Sequence, residues 1–192
     1  GHDYLRFIHR WSTVGTRTPY WSDYGNDFGG MFGYVVEYPV SPRRNVALQS
    51  NGGTATAIST GSYQGTTMWP SNAINGTYGW PDAWASQWDM PAWLQVEFDR
   101  VYSIDTVGVR WAQHRHTFSI SLSADGEVWT EVVAPRQSLV DQTWHDTGYN
   151  SPDNPPYEGF PIERMLARYI RLDISETSAP ASHIFQATVA EL

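Results

Sequence analysis

The sequence has no cysteine and no lysine, few charged residues and no long apolar run, and each absence removes a class of chemistry. Without cysteine there is no disulfide framework, no thiolate metal site and no sulfur nucleophile, and the redox compartment is left open. All twelve basic residues are arginine, which removes Schiff-base catalysis and the phosphate-binding lysine of P-loops. Twenty acids against those twelve bases give a net charge of −8. That balance disfavours nucleic acid, anionic membranes and sulfated polymers, because each rewards a positive surface. No stretch approaches the apolar length needed to cross a bilayer, and Gly1-His2-Asp3 does not read as a secretory signal. If the protein is exported, this is a mature fragment.

What the sequence does have is aromatic surface. Aromatic residues reach 15% and include ten tryptophans, more than one modest core readily hides. Some of these rings are therefore expected outside, where a flat apolar face serves binding. The 192 residues suffice for one complete domain and a remnant, not for two full-sized domains.

Helical periodicity is weak, whereas strict alternation recurs in Leu94, Val96, Phe98, in Val107, Val109, Trp111, in Phe118, Ile120, Leu122 and in Ile170, Leu172, Ile174. Each run places its apolar side chains on one face of a strand. Turn signals separate the runs, among them Asn51-Gly52-Gly53, Asn75-Gly76, Ala124-Asp125-Gly126 and the proline-rich stretch 151–156. Many short strands between such turns predict an all-β sandwich or jelly roll. Two prolines, Pro39 and Pro42, frame a polar step that suits a linker, so the main domain is placed at 43–192 and residues 1–42 are an N-terminal extension.

From Asn45 onward the chain resembles the discoidin or coagulation-factor type C domain, especially its bacterial branch in carbohydrate-binding module family 32. The residues that carry the resemblance are Asn45-Val46-Ala47, Asn72-Ala73-Ile74-Asn75-Gly76, Trp84-Ala85-Ser86 and Trp93-Leu94-Gln95-Val96-Glu97-Phe98. They continue in Ser121 to Gly126 with Trp129, in Ala167-Arg168-Tyr169-Ile170-Arg171-Leu172 and in Ala190-Glu191-Leu192. The resemblance implies an eight-stranded jelly-roll β-sandwich of the galactose-binding-like kind, with a ligand site in loops at one end of the barrel. Residues 1–42 resemble the tail of a C-type-lectin-like domain, in Trp21-Ser22-Asp23 followed by Gly33 to Tyr38. Together these imply a secreted or cell-surface protein in which this module is covalently joined to neighbouring domains, with carbohydrate as its partner.

A sugar site needs an aromatic ring for the C–H face of a pyranose and fixed donors and acceptors for its hydroxyls. Gln113-His114-Arg115-His116, between two predicted strands, is the densest group of planar hydrogen-bonding side chains, and the family places sugar-binding residues in the corresponding loop. The family's Arg followed five residues later by Asn is missing here, since position 112 is Ala and position 117 is Thr, so galactose specificity does not carry over. The same end should receive the loop with Trp80, Trp84 and Trp88 and the loop from Ser178 to Phe185. In the second, His183 or Phe185 matches the family's stacking aromatic. Trp80 and Trp88 are expected to be exposed, Trp84 to pack inside, and Trp93, Trp111 and Trp129 to be structural. Calcium is implied by the resemblance as a structural ion, with Asn75 in place of the family's Asp, Glu191 matching its C-terminal Glu, and Asp82 as a compensating acid.

Catalytic signatures are lacking: there is no His-Glu-x-x-His and no Gly-x-Ser-x-Gly. The acids Glu158, Glu163, Asp173 and Glu176 show no spacing that would set a carboxylate pair across a cleft, and they are expected to face solvent. The expected function is thus non-catalytic glycan binding, with protein adhesion or a structural spacer as the alternative and membrane docking disfavoured by the charge.

Overall fold

The computed structural model describes residues 7–8, 20–21, 44–77, 82–87, 90–112, 114–139, 157–179 and 187–192. The chain divides into two units, Gly1–Arg44 and Asn45–Leu192. In the first, β1 (Phe7–Ile8) pairs antiparallel with β2 (Tyr20–Trp21). The lectin-like pattern of residues 21–23 and 33–38, apart from Trp21 in β2, lies outside the described residues.

The regular secondary structure of the second unit is all strand apart from short 3-10 turns at Gln49–Asn51 and Pro70–Ile74, among the described residues. Its strands are β3 (Thr54–Ala57), β4 (Ser62–Tyr63), β5 (Thr66–Thr67), β6 (Trp84–Ala85), β7 (Ala92–Trp111), β8 (His116–Ser123), β9 (Thr130–Gln137), β10 (Tyr157–Thr177) and β11 (Thr188–Glu191). β7 and β10 form the spine. They run antiparallel from Tyr157 opposite Arg110 to Ile174 opposite Ala92, with register shifts between Pro161 and Met165 and between Ala167 and Tyr169. Such shifts bend and twist a strand pair, and here the pair passes from one layer of a sandwich into the other.

On one side of the bend the sheet order is β3, β7, β10, β8, β9. On the other it is β6, β11, β7, β10. Seven strands are thus hydrogen-bonded into one continuous sheet among the described residues, because β7 and β10 serve both layers without a break, as the expected jelly-roll sandwich allows.

All twelve residues that alternation places inward are buried, and they join one core with Trp84, Ala167 and Val189. Trp84 is buried as expected, and its indole N–H donates to the Ser59 carbonyl at 3.0 Å, so its one polar group is satisfied inside. Trp111 packs edge-on against Phe118 at 4.9 Å between ring centroids. Between β7 and β10, Gly108 lies opposite Gly159. The Tyr157 ring lies across this pair, and a Cβ at Gly108 would fall 2.2 Å from the Tyr157 hydroxyl oxygen. Glycine is required there to let the ring lie down, and the Arg110 guanidinium sits 5.5 Å from that ring's centroid.

Candidate functional site at the loop rim

One end of the sandwich is a rim of connecting segments stitched together by backbone hydrogen bonds. Gly61 N–H donates to Ala85 O at 2.7 Å, Met68 N–H to Gly61 O at 2.9 Å and Ser86 N–H to Ala187 O at 2.9 Å. The Ala187 N–H in turn donates to Ser86 Oγ at 2.9 Å. Beneath these segments Met68 packs with Ala83, Ala85, Ala112 and Ala190 in a small core of its own. Four alanines around one flexible thioether let several backbones approach closely, which is how irregular loops are held in a fixed arrangement here.

The segment from His114 to His116 is locked from two sides. Arg115 N–H donates to Ser178 Oγ at 3.0 Å while Ser178 N–H donates to Arg115 O at 2.8 Å. His116 N–H donates to Ser138 Oγ at 3.0 Å and Ser138 N–H returns to His116 O at 2.8 Å. These serines clamp the start of β8 between the ends of β10 and β9.

The side chains of this segment do not all point where the sequence suggested. His116 is 0% exposed, its ring 4.7 Å from Trp111, so the fold places it in the core and not on the exposed rim where it was expected. His114 is also buried, with a left-handed φ of +59°, a conformation costly for a side-chain-bearing residue and tolerated where surrounding structure enforces it. Arg115, half-buried, is the member of the trio left at the surface. Trp80, Trp88, His183 and Phe185 lie outside the described residues.

The rim presents one ring that sequence reasoning missed. Trp69 is 57% exposed, directly after the buried Met68 and before Pro70, where the 3-10 turn begins. A tryptophan followed by proline outside any alternating run was the available signal: no strand face claims it, and the proline fixes the exit of the chain.

Glu158 corrects another expectation. It is 6% exposed rather than solvent-facing, and its Oε1 accepts the Leu139 N–H at 3.0 Å, fastening the end of β9. The other three acids do reach solvent. Glu163 and Glu176 are exposed, Asp173 is partly so, and Glu176 Oε2 accepts the Thr117 hydroxyl at 3.0 Å.

Two of the three residues assigned to calcium have other partners in the fold. Glu191 accepts Arg110 Nε at 3.0 Å on one carboxylate oxygen and Asn45 Nδ2 at 3.2 Å on the other. Asn75 Oδ1 accepts both the backbone N–H and the hydroxyl of Thr77 at 2.8 Å, and Asp82 is exposed. Among the described residues no three His, Asp or Glu side chains gather as a metal cluster. A dication at Glu191 would face the Arg110 guanidinium, and like charges at such range repel strongly. As arranged, these side chains do not fit calcium.

At the Ala124-Asp125-Gly126 turn, Asp125 Oδ1 accepts the N–H groups of Glu127 and Val128, both at 2.9 Å. Hydrogen bonds from the Val128 and Glu127 backbone, then from Ser123, hold its carboxyl below the ordinary carboxylate range.

Comparison with known proteins places this geometry. No curated protein matches. Among solved structures, a pectin-binding carbohydrate-binding module superposes with a TM-score of 0.53 at 22% identity, covering 72% of this chain and 86% of its own. Chitosan-binding module 1 of a chitosanase/glucanase from Paenibacillus sp. IK-5 gives 0.55 at 20% identity, with 78% and 96% covered. A family 32 module from Clostridium perfringens, in complex with GalNAc-β-1,3-galactose, gives 0.52 at 17% identity, with 75% and 95% covered. At these identities the likeness is one of fold. The F5/8 type C domain model matches residues 54–186, more than half of the chain, and the chain therefore belongs to the F5/8 type C domain family.

Proposed function

We propose that this domain is a non-catalytic carbohydrate-binding module, part of a larger secreted or cell-surface protein that it docks onto glycans through the loop rim. The observation that carries the proposal is a fixed rim with a largely exposed indole, Trp69, standing on it. An exposed indole on a rigid support offers a sugar ring an apolar platform at little entropic cost. The family and the solved neighbours support this, since those neighbours are described as binding pectin, chitosan and a GalNAc-galactose disaccharide.

In this reading Trp69 supplies stacking and Arg115 supplies hydrogen-bond donors, with Trp80, Trp88, His183 and Phe185 as further rim contacts. One stacked ring and a few hydrogen bonds give an affinity of about millimolar to micromolar. The test is titration against a glycan array followed by calorimetry, in calcium and in chelator. Trp69→Ala and Arg115→Ala should each weaken binding about tenfold with unchanged melting temperature. Absence of binding to any glycan in both buffers would remove the proposal.

A further inference from the structure

A recess of about 240 Å³ opens on the outward face of the five-stranded layer. Ile58 and Trp93 border it on one side, Pro135 on the other, and Arg171, Asp173 and Ser175 lie between. These residues face out because their neighbours face in. Trp93 alternates with the buried Ala92 and Leu94, and Arg171 and Asp173 alternate with Ile170, Leu172 and Ile174.

Register then sets the chemistry. Asp173 on the central strand lies opposite Trp93 on β7 and opposite Ser119 on β8. The Arg171 guanidinium sits 5.0 Å from the Trp93 ring centroid, and its Nε donates to Asp173 Oδ1 at 2.9 Å. An indole, a guanidinium and a carboxylate are thereby held against one another on a rigid sheet. Ring and ion pair are ordered before any ligand arrives, which lowers the entropic cost of binding.

Two features choose the occupant. The first is charge: the charged residues lining the recess are Arg171 and Asp173, paired with each other, with Arg168 and Glu97 paired at 2.7 Å nearby, so the recess itself favours neither a polyanion nor a polycation. Donors and acceptors without net charge, beside an indole, match an uncharged surface of hydroxyls and C–H groups. The second is extent. From β3 to β9 the layer is five strands wide, about 19 Å at about 4.8 Å per strand, too wide for a single sugar and suited to a chain. The recess also adjoins the rim. Ile58 precedes Ser59, whose carbonyl and hydroxyl bind Trp84 and Gln87, and Ser175 lies three residues before Ser178, which binds Arg115.

We propose that the outward sheet face around Trp93, Arg171 and Asp173 is a second glycan subsite, receiving an uncharged polysaccharide chain that continues from the rim across the strands. This rests on the carbohydrate-binding reading of the domain but on none of the rim residues. It makes the module a binder of chain interiors, with affinity that grows as the glycan lengthens.

The experiment is calorimetric titration of the full chain with neutral cello-, xylo-, manno- and N-acetylchito-oligosaccharides of one to six units. Wild type is compared with Trp93→Ala, Arg171→Gln and Trp69→Ala, each checked by thermal melting, with Trp93→Phe as the milder variant should Trp93→Ala melt early. At least one series should bind more tightly with length. Trp93→Ala and Arg171→Gln should then lower hexasaccharide affinity about tenfold while leaving monosaccharide binding unchanged. If affinity does not depend on length, or the face variants bind hexasaccharides like wild type, the sheet subsite is overturned and the rim proposal stands. If chain binding is lost in the face variants and untouched by Trp69→Ala, the rim proposal fails and the sheet subsite stands. No binding by any series overturns both.

Discussion

The clamped segment at the rim and the open face of the five-stranded layer invert what their residue types suggest. At the rim, two imidazoles that looked made for hydroxyl groups are buried, and Trp111 holds one of them. On the sheet, Trp93 is partly exposed with an ion pair beside it. Position on the pleat outranks side-chain character. A polar ring at an inward position is taken into the core when its backbone is pinned, and an apolar ring at an outward position stays partly wet.

The contrast is sharpest at Trp111, the floor on which His116 rests. Trp111→Ala should cost about 3–5 kcal/mol, seen as a fall in urea midpoint at constant m-value, because it opens a cavity beside the His116 and Phe118 rings. His116→Ala should cost about 1–3 kcal/mol by the same measurement. A His116 variant as stable as wild type would put the imidazole back among ligand contacts and break the comparison. Glu191→Gln removes a partly buried partner of Arg110 and should cost about 1–2 kcal/mol. Its companion test is calcium: the melting temperature of the unmodified chain should be the same in millimolar calcium and in chelator, whereas a rise with calcium would show that Arg110 yields its place. Arg171→Gln, on the exposed side, should change stability by less than about 0.5 kcal/mol, since surface ion pairs contribute little.

The smallest effect belongs to Asp125. Its pKa is lowered in the fold, so the stabilisation it lends is present above its ordinary value of 3.8 and is lost as pH falls through the lowered value. Asp125→Asn should therefore be slightly less stable than wild type at neutral pH, with the two converging on acidification below about pH 4 in urea midpoints taken across the acid range. A constant offset between them at every pH would mean that the carboxylate charge contributes nothing.

The strands were legible because a period of two is a local property. Leu94, Val96 and Phe98 need no distant residue to declare their face. The inward turn of His116 was legible too, since the series Phe118, Ile120, Leu122 extended back by two residues falls on it. Reading it as a ligand set residue type above parity. The same parity places Trp93, Arg171 and Asp173 outward. What sequence did not contain was the clamp, whose serines stand 22 residues from His116 and 63 from Arg115. Glu158 likewise lay next to a proline-rich stretch, where no periodicity foretold its bond to the Leu139 N–H. What alternation does not say is whether a strand stops at a corner or turns it, as β7 and β10 do.

That continuity of β7 and β10 bears on how the module would carry load. A tether between a glycan and a larger protein is pulled, and sandwiches whose layers are joined only by loops can yield by sliding one sheet over the other. Here two covalent strands cross from layer to layer side by side, so shear meets the pulled backbone itself. Under tension the outer strands β6 and β9 should peel first, with the paired spine the last element to part.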